Sequence, residues 1–238
     1  MLTLVGVSHI LKIAEPVSFI IKNIWPDAVL LELDERRYNI LTSSEAPEER
    51  REGDTQAFKN AAATQKRMAE EQGTEMGAEF VAAIGTGKMI GADIVLIDVD
   101  AAKMMNEAWK EMPFTEKMRF GFSAIRDKIR PGKRANSMQK KFSDNEEEYF
   151  AWMRKKYPTL VRKIIDERND HMAGKIKEAM EKYENLVAVV GDGHVEGLSK
   201  MIGDATIRKI RLETLTDTEK MNRLRAELWT GTKKEETE

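Results

Sequence analysis

Asn185 to Leu198 reads NLVAVVGDGHVEGL, and an echo of it, LTLVGVSHI, occupies residues 2–10. Both have one layout: an unbroken apolar run, a glycine, two residues, then a histidine. The runs Leu186–Val190 and Leu2–Val7 are short, β-branched and uncharged, as a strand buried on both faces of a parallel sheet requires. Each histidine therefore follows a strand's carboxyl end. In open α/β sheets that edge is where ligands bind, because side chains leaving several strands converge there. Glycine suits the turn, since the chain bends sharply and a ligand can approach the backbone. The chain has three histidines in 238 residues, and two of them stand in these matching positions.

Further apolar runs extend the pattern. Ala28–Leu33, Ile94–Ile97 and Thr206–Leu212 read as additional strands, giving a mostly parallel sheet of about five strands flanked by helices. Helical periodicity is read over 14–24, 55–72, 75–90, 194–202 and 217–228. Between the third and fourth strands, residues 101–183 show only helical segments, at 103–111, 115–129, 144–156 and 159–181, broken by Pro113, Pro131 and Pro158. The expectation is one α/β domain over residues 1–238, with this block as a helical insertion or cap and a charged, frayed tail at 230–238.

Composition narrows the function classes. Hydrophobic residues make up 41% and charged residues 34% of the chain, which fits a folded globular protein. A net charge of -2 gives no bulk electrostatic reason to bind nucleic acid. There is no cysteine, which removes disulfides, thiolate metal sites and a cysteine nucleophile, and fits a reducing cytoplasm. No basic leader with an apolar core and no apolar window of membrane-spanning length is present, so a cytoplasmic protein without a membrane segment is expected.

Acids recur at the strand ends. Glu32 leaves the second strand inside the charged run ELDERR, and Asp98 and Asp100 follow the third. Two imidazoles and a carboxylate suit a divalent ion, zinc, manganese or cobalt, so His9, Glu32 and His194 are the candidate ligands. Asp98 or Asp100 would orient the histidines or act as a base. The competing interpretation makes them helix caps and ion pairs, with Glu32 opposite Arg36 or Arg37. Gly191-x-Gly193-x-x-x-Gly197 approximates a dinucleotide fingerprint, but its spacing is one residue too long and His194 crowds the turn. Gly85-Thr86-Gly87-Lys88 lacks the rest of a phosphate loop and reads as a helix end. His171, with Glu167 one turn before it, reads as a surface pair, while Arg168 and Asn169 on the same helix can reach the pocket. The basic loop at 130–134 reads as a solvated turn.

Taken in series, GVSH at 6–9, PDAVLLELDERR at 26–37, GAEFVAAIGTGKMIGADIVLIDVD at 77–100, ERNDHMA at 167–173 and VVGDGHVEGL at 189–198 resemble the TraB/PrgY pheromone-shutdown family. That family is grouped with the TIKI metalloproteases, erythromycin esterases and haem-binding ChaN lipoproteins. The resemblance implies an EreA/ChaN-like α/β fold with both Gly-x-x-His stretches and the strand-end glutamate in one cleft. By similarity to TIKI proteins, His9, Glu32 and His194 would be metal-site or catalytic residues, with Arg168 and Asn169 adjoining. The implied activity is metal-dependent hydrolysis of a peptide or related amide. The alternative is a non-catalytic protein that sequesters a peptide or small ligand; under either reading the helical block is a lid, the interface of a homodimer or both. Two departures stand out: pheromone-shutdown proteins carry membrane segments after this domain where this sequence has a charged tail, and Asp98-Val99-Asp100 lacks the central arginine that relatives often have.

Overall fold

The apolar runs form five strands of one parallel sheet: β1 (Leu2–Val7), β2 (Ala28–Leu31), β3 (Asp93–Leu96), β4 (Leu186–Gly191) and β5 (Arg208–Ile210), ordered β3-β2-β4-β1-β5. The structure is a computed structural model that describes residues 1–8, 11–43, 70, 73–119, 146–203 and 206–235. These fall into two compact units, Met1–Asp100 with Asn169–Glu238, and Ala101–Arg168.

In the first unit, period-two alternation sorts each strand between two cores. Val5, Val7, Val29, Leu31, Val187 and Val189 point to one face, where they pack with helical residues Val17, Ile20, Phe80, Ala83 and Leu224. Leu2, Leu4, Ala28, Leu30, Leu186, Ala188 and Val190 point to the other, against Met172, Ile176, Val195 and Leu198. For β1, β2 and β4 both faces are dry, which is why these three read as near-continuous apolar runs. Truncating one of these, for example Leu30 at 0% exposure, removes burial that stabilises by roughly 1.5–3 kcal/mol and leaves a cavity besides.

The helices of this unit follow from spacing and caps. In α1 (Ala14–Ile24), Val17, Ile20 and Ile21 form the buried stripe. Trp25 ends it in the left-handed region at φ 51°, its N–H donating to the Ile21 carbonyl at 3.0 Å. The charged exit of β2, which lies outside the helices read from the sequence, turns into α2 (Glu35–Thr42), because the Asp34 side chain accepts from the Arg37 N–H at 2.9 Å and caps it. In α3 (Ala78–Ile90), Gly87 faces the sheet: a Cβ there would lie 2.9 Å from Ile94 Cδ1 and 3.1 Å from Val29 Cγ2. The Gly-Thr-Gly-Lys stretch is thus the last turns of a helix pressed against β2 and β3. The expected strand at 206–212 is shorter, since Leu212–Thr216 is a helical turn, and the last helix, Thr218–Glu235, runs on through most of the stretch read as a frayed tail.

The second unit is helical. Ala101–Glu111 and Glu146–Lys156 are α-helices, and Pro158–Val161 leads into a π-helical segment, Arg162–Glu167. Ala108, Met112, Tyr157 and Leu160 form its core. Glu116, 2% exposed, accepts from the Leu160 and Thr159 N–H groups at 3.2 and 3.4 Å and so caps the turn that Pro158 opens. The expected helices at 55–72, residue 70 apart, and beyond residue 119 to 129, and the basic loop at 130–134, lie outside the described residues.

Candidate functional site

β4 lies between β2 and β1, so the carboxyl ends of three strands meet at the centre of the sheet. The chain turns one way after β1 and the other way after β4, and such a switch point opens a crevice at the strand ends. Glu32 sits one residue past β2. Its N–H donates to the Val189 carbonyl at 3.1 Å, continuing the ladder, and its side chain turns toward β4. Oε2 accepts from the Gly191 N–H at 2.5 Å. A Cβ on residue 191 would stand 3.2 Å from that oxygen, so glycine is what allows the carboxylate this close to the backbone.

His194 lies in the first turn of α4 (Asp192–Ile202 in the first unit), directly after β4. Its Nε2 stands 3.6 Å from Glu32 Oε1, and its Nδ1 stands 2.6 Å from Asn169 Oδ1. With that amide oxygen as acceptor, Nδ1 is the donor of this bond, and Nε2 is the nitrogen turned toward Glu32. All three groups are buried: Glu32 and Asn169 are 3% exposed and His194 5%. Asn169 reaches the ring because residue 197 is glycine; a Cβ there would lie 2.3 Å from Asn169 Nδ2. Gly191 and Gly197 of the dinucleotide-like run therefore admit Glu32 and Asn169.

Asp98, one strand over, is tied to Arg37, whose Nη1 donates to Oδ2 at 3.1 Å while the guanidinium lies over the Phe80 ring at 5.9 Å. On the other flank Asp192, 8% exposed, is clamped by Arg211 through Nε to Oδ1 at 2.9 Å and Nη2 to Oδ2 at 2.8 Å, and it also accepts from the Leu212 N–H at 2.8 Å. Arg168 is half-buried at the end of the second unit, where its Nη1 donates to the Ile164 carbonyl at 3.3 Å. His171 is exposed on its helix. His9 lies outside the described residues; Gly6, three residues before it, pairs with Val190 in the ladder between β1 and β4.

A nitrogen and a carboxylate oxygen that share one tetrahedral zinc sit about 3.4 Å apart, from bonds near 2.1 Å. The 3.6 Å between Nε2 and Oε1 is close to that spacing, and a ring fixed through its other nitrogen is the usual companion of a metal-binding imidazole. The spacing of these two donors fits a shared divalent ion. Among the described residues no group of three such side chains is gathered at one point.

The model of the TraB/PrgY/gumN family matches residues 1–213. The chain belongs to the TraB/PrgY/gumN family. This TraB-family chain is also 29% identical over 208 residues to the uncharacterized protein MJ1365 of Methanocaldococcus jannaschii, a match covering 84% of the chain and 52% of that protein. It spans about half the length of that relative. The motif series and the parallel α/β architecture thus agree on family and fold. Among the described residues, no helix of the TraB-family chain is long and apolar enough to cross a membrane.

Arg211 was not among the residues singled out from the sequence of this TraB-family chain. Its signal was faint: a basic residue after the last short apolar run, at the same sheet edge as the two glycine-histidine turns. Only the packing of that turn against Asp192 gives it a partner.

Proposed function

We propose that this TraB-family chain is a metal-dependent hydrolase of a peptide or related amide, with His194, Glu32 and His9 as the residues that hold the ion. The observation that carries the reading is the buried pair of His194 Nε2 and Glu32 Oε1 at 3.6 Å, each partner fixed from behind. Asn169 fixes the imidazole and the Gly191 N–H fixes the carboxylate. His9 follows β1, the strand paired with β4, and completes the set in this reading.

A divalent ion held there would acidify a bound water and polarise a scissile carbonyl. The chain's own part is positional. Asn169 holds the ring with Nε2 toward Glu32, and burial excludes bulk water from both. Glu32 Oε1 is the oxygen turned toward the ring, placed to ligate or to take a proton, while Oε2 is held by the backbone. A binding protein that sequesters a peptide is the second reading, favoured by that same Gly191 N–H, which already occupies one carboxylate oxygen.

Metal uptake separates the two. Untagged protein stripped with chelator and titrated with manganese or cobalt should take up one ion per chain. His194→Ala and Glu32→Gln should take up none, and Asn169→Ala should bind about 10–100-fold more weakly because the ring loses its orienting partner. A wild-type protein that takes up no manganese, cobalt or zinc would remove the hydrolase reading.

A further inference from the structure

The sheet edge carries a cation whose donors are only partly engaged. Arg37 stands in the first turn of α2, and its side chain is 29% exposed while that of Asp98 is fully buried. Among the described residues the guanidinium makes one hydrogen bond, Nη1 to Asp98 Oδ2 at 3.1 Å. A guanidinium has five N–H donors in a rigid fork. Arg211 shows what a fully engaged arginine looks like in this fold: its Nε and Nη2 bind Asp192, and its Nη1 donates to Glu196 Oε1 at 3.3 Å.

The environment of Arg37 keeps it in place without saturating it. Burying the Asp98 carboxylate is unfavourable without a cation beside it, so the aspartate fixes where the guanidinium sits. The Phe80 ring, 1% exposed, supports its face. Its side chain is thereby restrained before any ligand arrives, which lowers the ordering cost of binding. The fork that remains matches the two oxygens of a carboxylate.

Its position along the edge matters as much. β3 pairs with β2, and β2 with β4, so Asp98 and His194 leave strands that flank the strand bearing Glu32. Strands lie about 4.8 Å apart, which sets the two roughly 10 Å from one another across the edge. An extended peptide advances about 3.3 Å per residue, so two or three residues cover that span. We infer that Arg37 is the specificity-determining residue of this cleft, receiving a carboxylate group of the ligand, such as a peptide's C-terminus, with Asp98 as its positioning residue. The inference rests on the proposed site only for where the rest of the ligand lies.

The test uses chelator-treated full-length protein, so it reads binding alone. The probes are N-acetyl-alanyl-alanine, its C-terminal amide and inorganic phosphate, followed by the Nε–Hε NMR signal of Arg37. The free acid should shift that signal and bind about tenfold more tightly than the amide, the size expected for losing one charge-assisted bond. In Arg37→Gln the acid-to-amide ratio should fall to about one. Arg37→Gln with Asp98→Asn, which removes both charges of the pair and so controls for the loss of the cation beside Asp98, should give the same ratio of one. Equal binding of acid and amide to the wild type, a ratio that survives in either variant, binding of phosphate but not of the acid, or no binding of any probe would overturn the inference. Loss of metal uptake would overturn the hydrolase reading and leave this ratio intact.

Discussion

Arg211 gives Asp192 two parallel hydrogen bonds and Glu196 a third, whereas Arg37 gives Asp98 one. Their side chains are nearly equally exposed, at 28% and 29%, so solvent access is not what separates them. The difference lies in what each aspartate touches. Asp192 sits under β1, where a Cβ on residue 6 would come within 2.1 Å of its Oδ1, and it also accepts from the Leu212 backbone. It joins β1, the start of the helix after β4 and the turn after β5 into one packed corner. Asp98 instead follows β3, an edge strand, and holds by one bond a cation that stays partly exposed. One pair closes a corner; the other presents a charge.

The largest expected effect is at the closed corner. Gly6→Ala should destabilise by about 3 kcal/mol in chemical denaturation, because neither a central strand nor a clamped carboxylate can shift cheaply. Adding Asp192→Ala to it should recover part of that loss. A wild-type midpoint for Gly6→Ala alone would mean that the corner is not closed.

Making the same substitution in both arginines sharpens the contrast. Arg211→Gln should cost about 2 kcal/mol, since one amide cannot replace three charge-assisted bonds to two acids. Arg37→Gln should cost about 1 kcal/mol or less, because a single amide N–H can still reach Asp98. If Arg37→Gln proved the costlier, burial of Asp98 would outweigh the number of bonds, and the presented-charge reading would be lost.

The smallest effect is in the segment that follows Arg211. Asp217 accepts from the N–H groups of Lys220 and Glu219, both at 2.9 Å, and these bonds hold its carboxyl below the ordinary value of 3.8. A depressed folded value means that the contribution is present above pH 3.8 and is lost as the pH falls through the lower folded value. The stability gap between wild type and Asp217→Ala should therefore be full near pH 6 and shrink below pH 4. A gap that does not change with pH would show that the carboxylate's charge plays no part in this cap.

Much of this was legible from local sequence. The bounds of α1 follow from its apolar stripe, and the two-faced burial of β1, β2 and β4 follows from uncharged β-branched runs. α2 was missed because Glu35–Thr42 buries no residue, so it has no apolar stripe to read. Its signal was the cap, Asp34 before Glu35. The strand over 206–212 ends early because Leu212 opens a helical turn, with Arg211, still extended, and the Leu212 N–H both held by Asp192, a partner some 20 residues away. Glu32, His194 and Asn169 were each named as site residues, and the structure brings these three together. Asp98, named with them as a base or as an orienter of the histidines, is bonded to Arg37.

Residue type and spacing alone determined that this chain would form a parallel α/β sheet with acids and a histidine at its carboxyl edge, because the period of burial is a local property of the backbone. Which side chain meets which was decided only by strand order and register. Matching the two glycine-histidine turns in sequence would set Gly6 beside Gly191, yet the ladder sets Gly6 beside Val190 and Val7 beside Gly191, one residue out of step. Pairing is chosen by how two cores pack at once, and that choice gave Glu32 to Gly191 and His194, and Asp192 to Arg211.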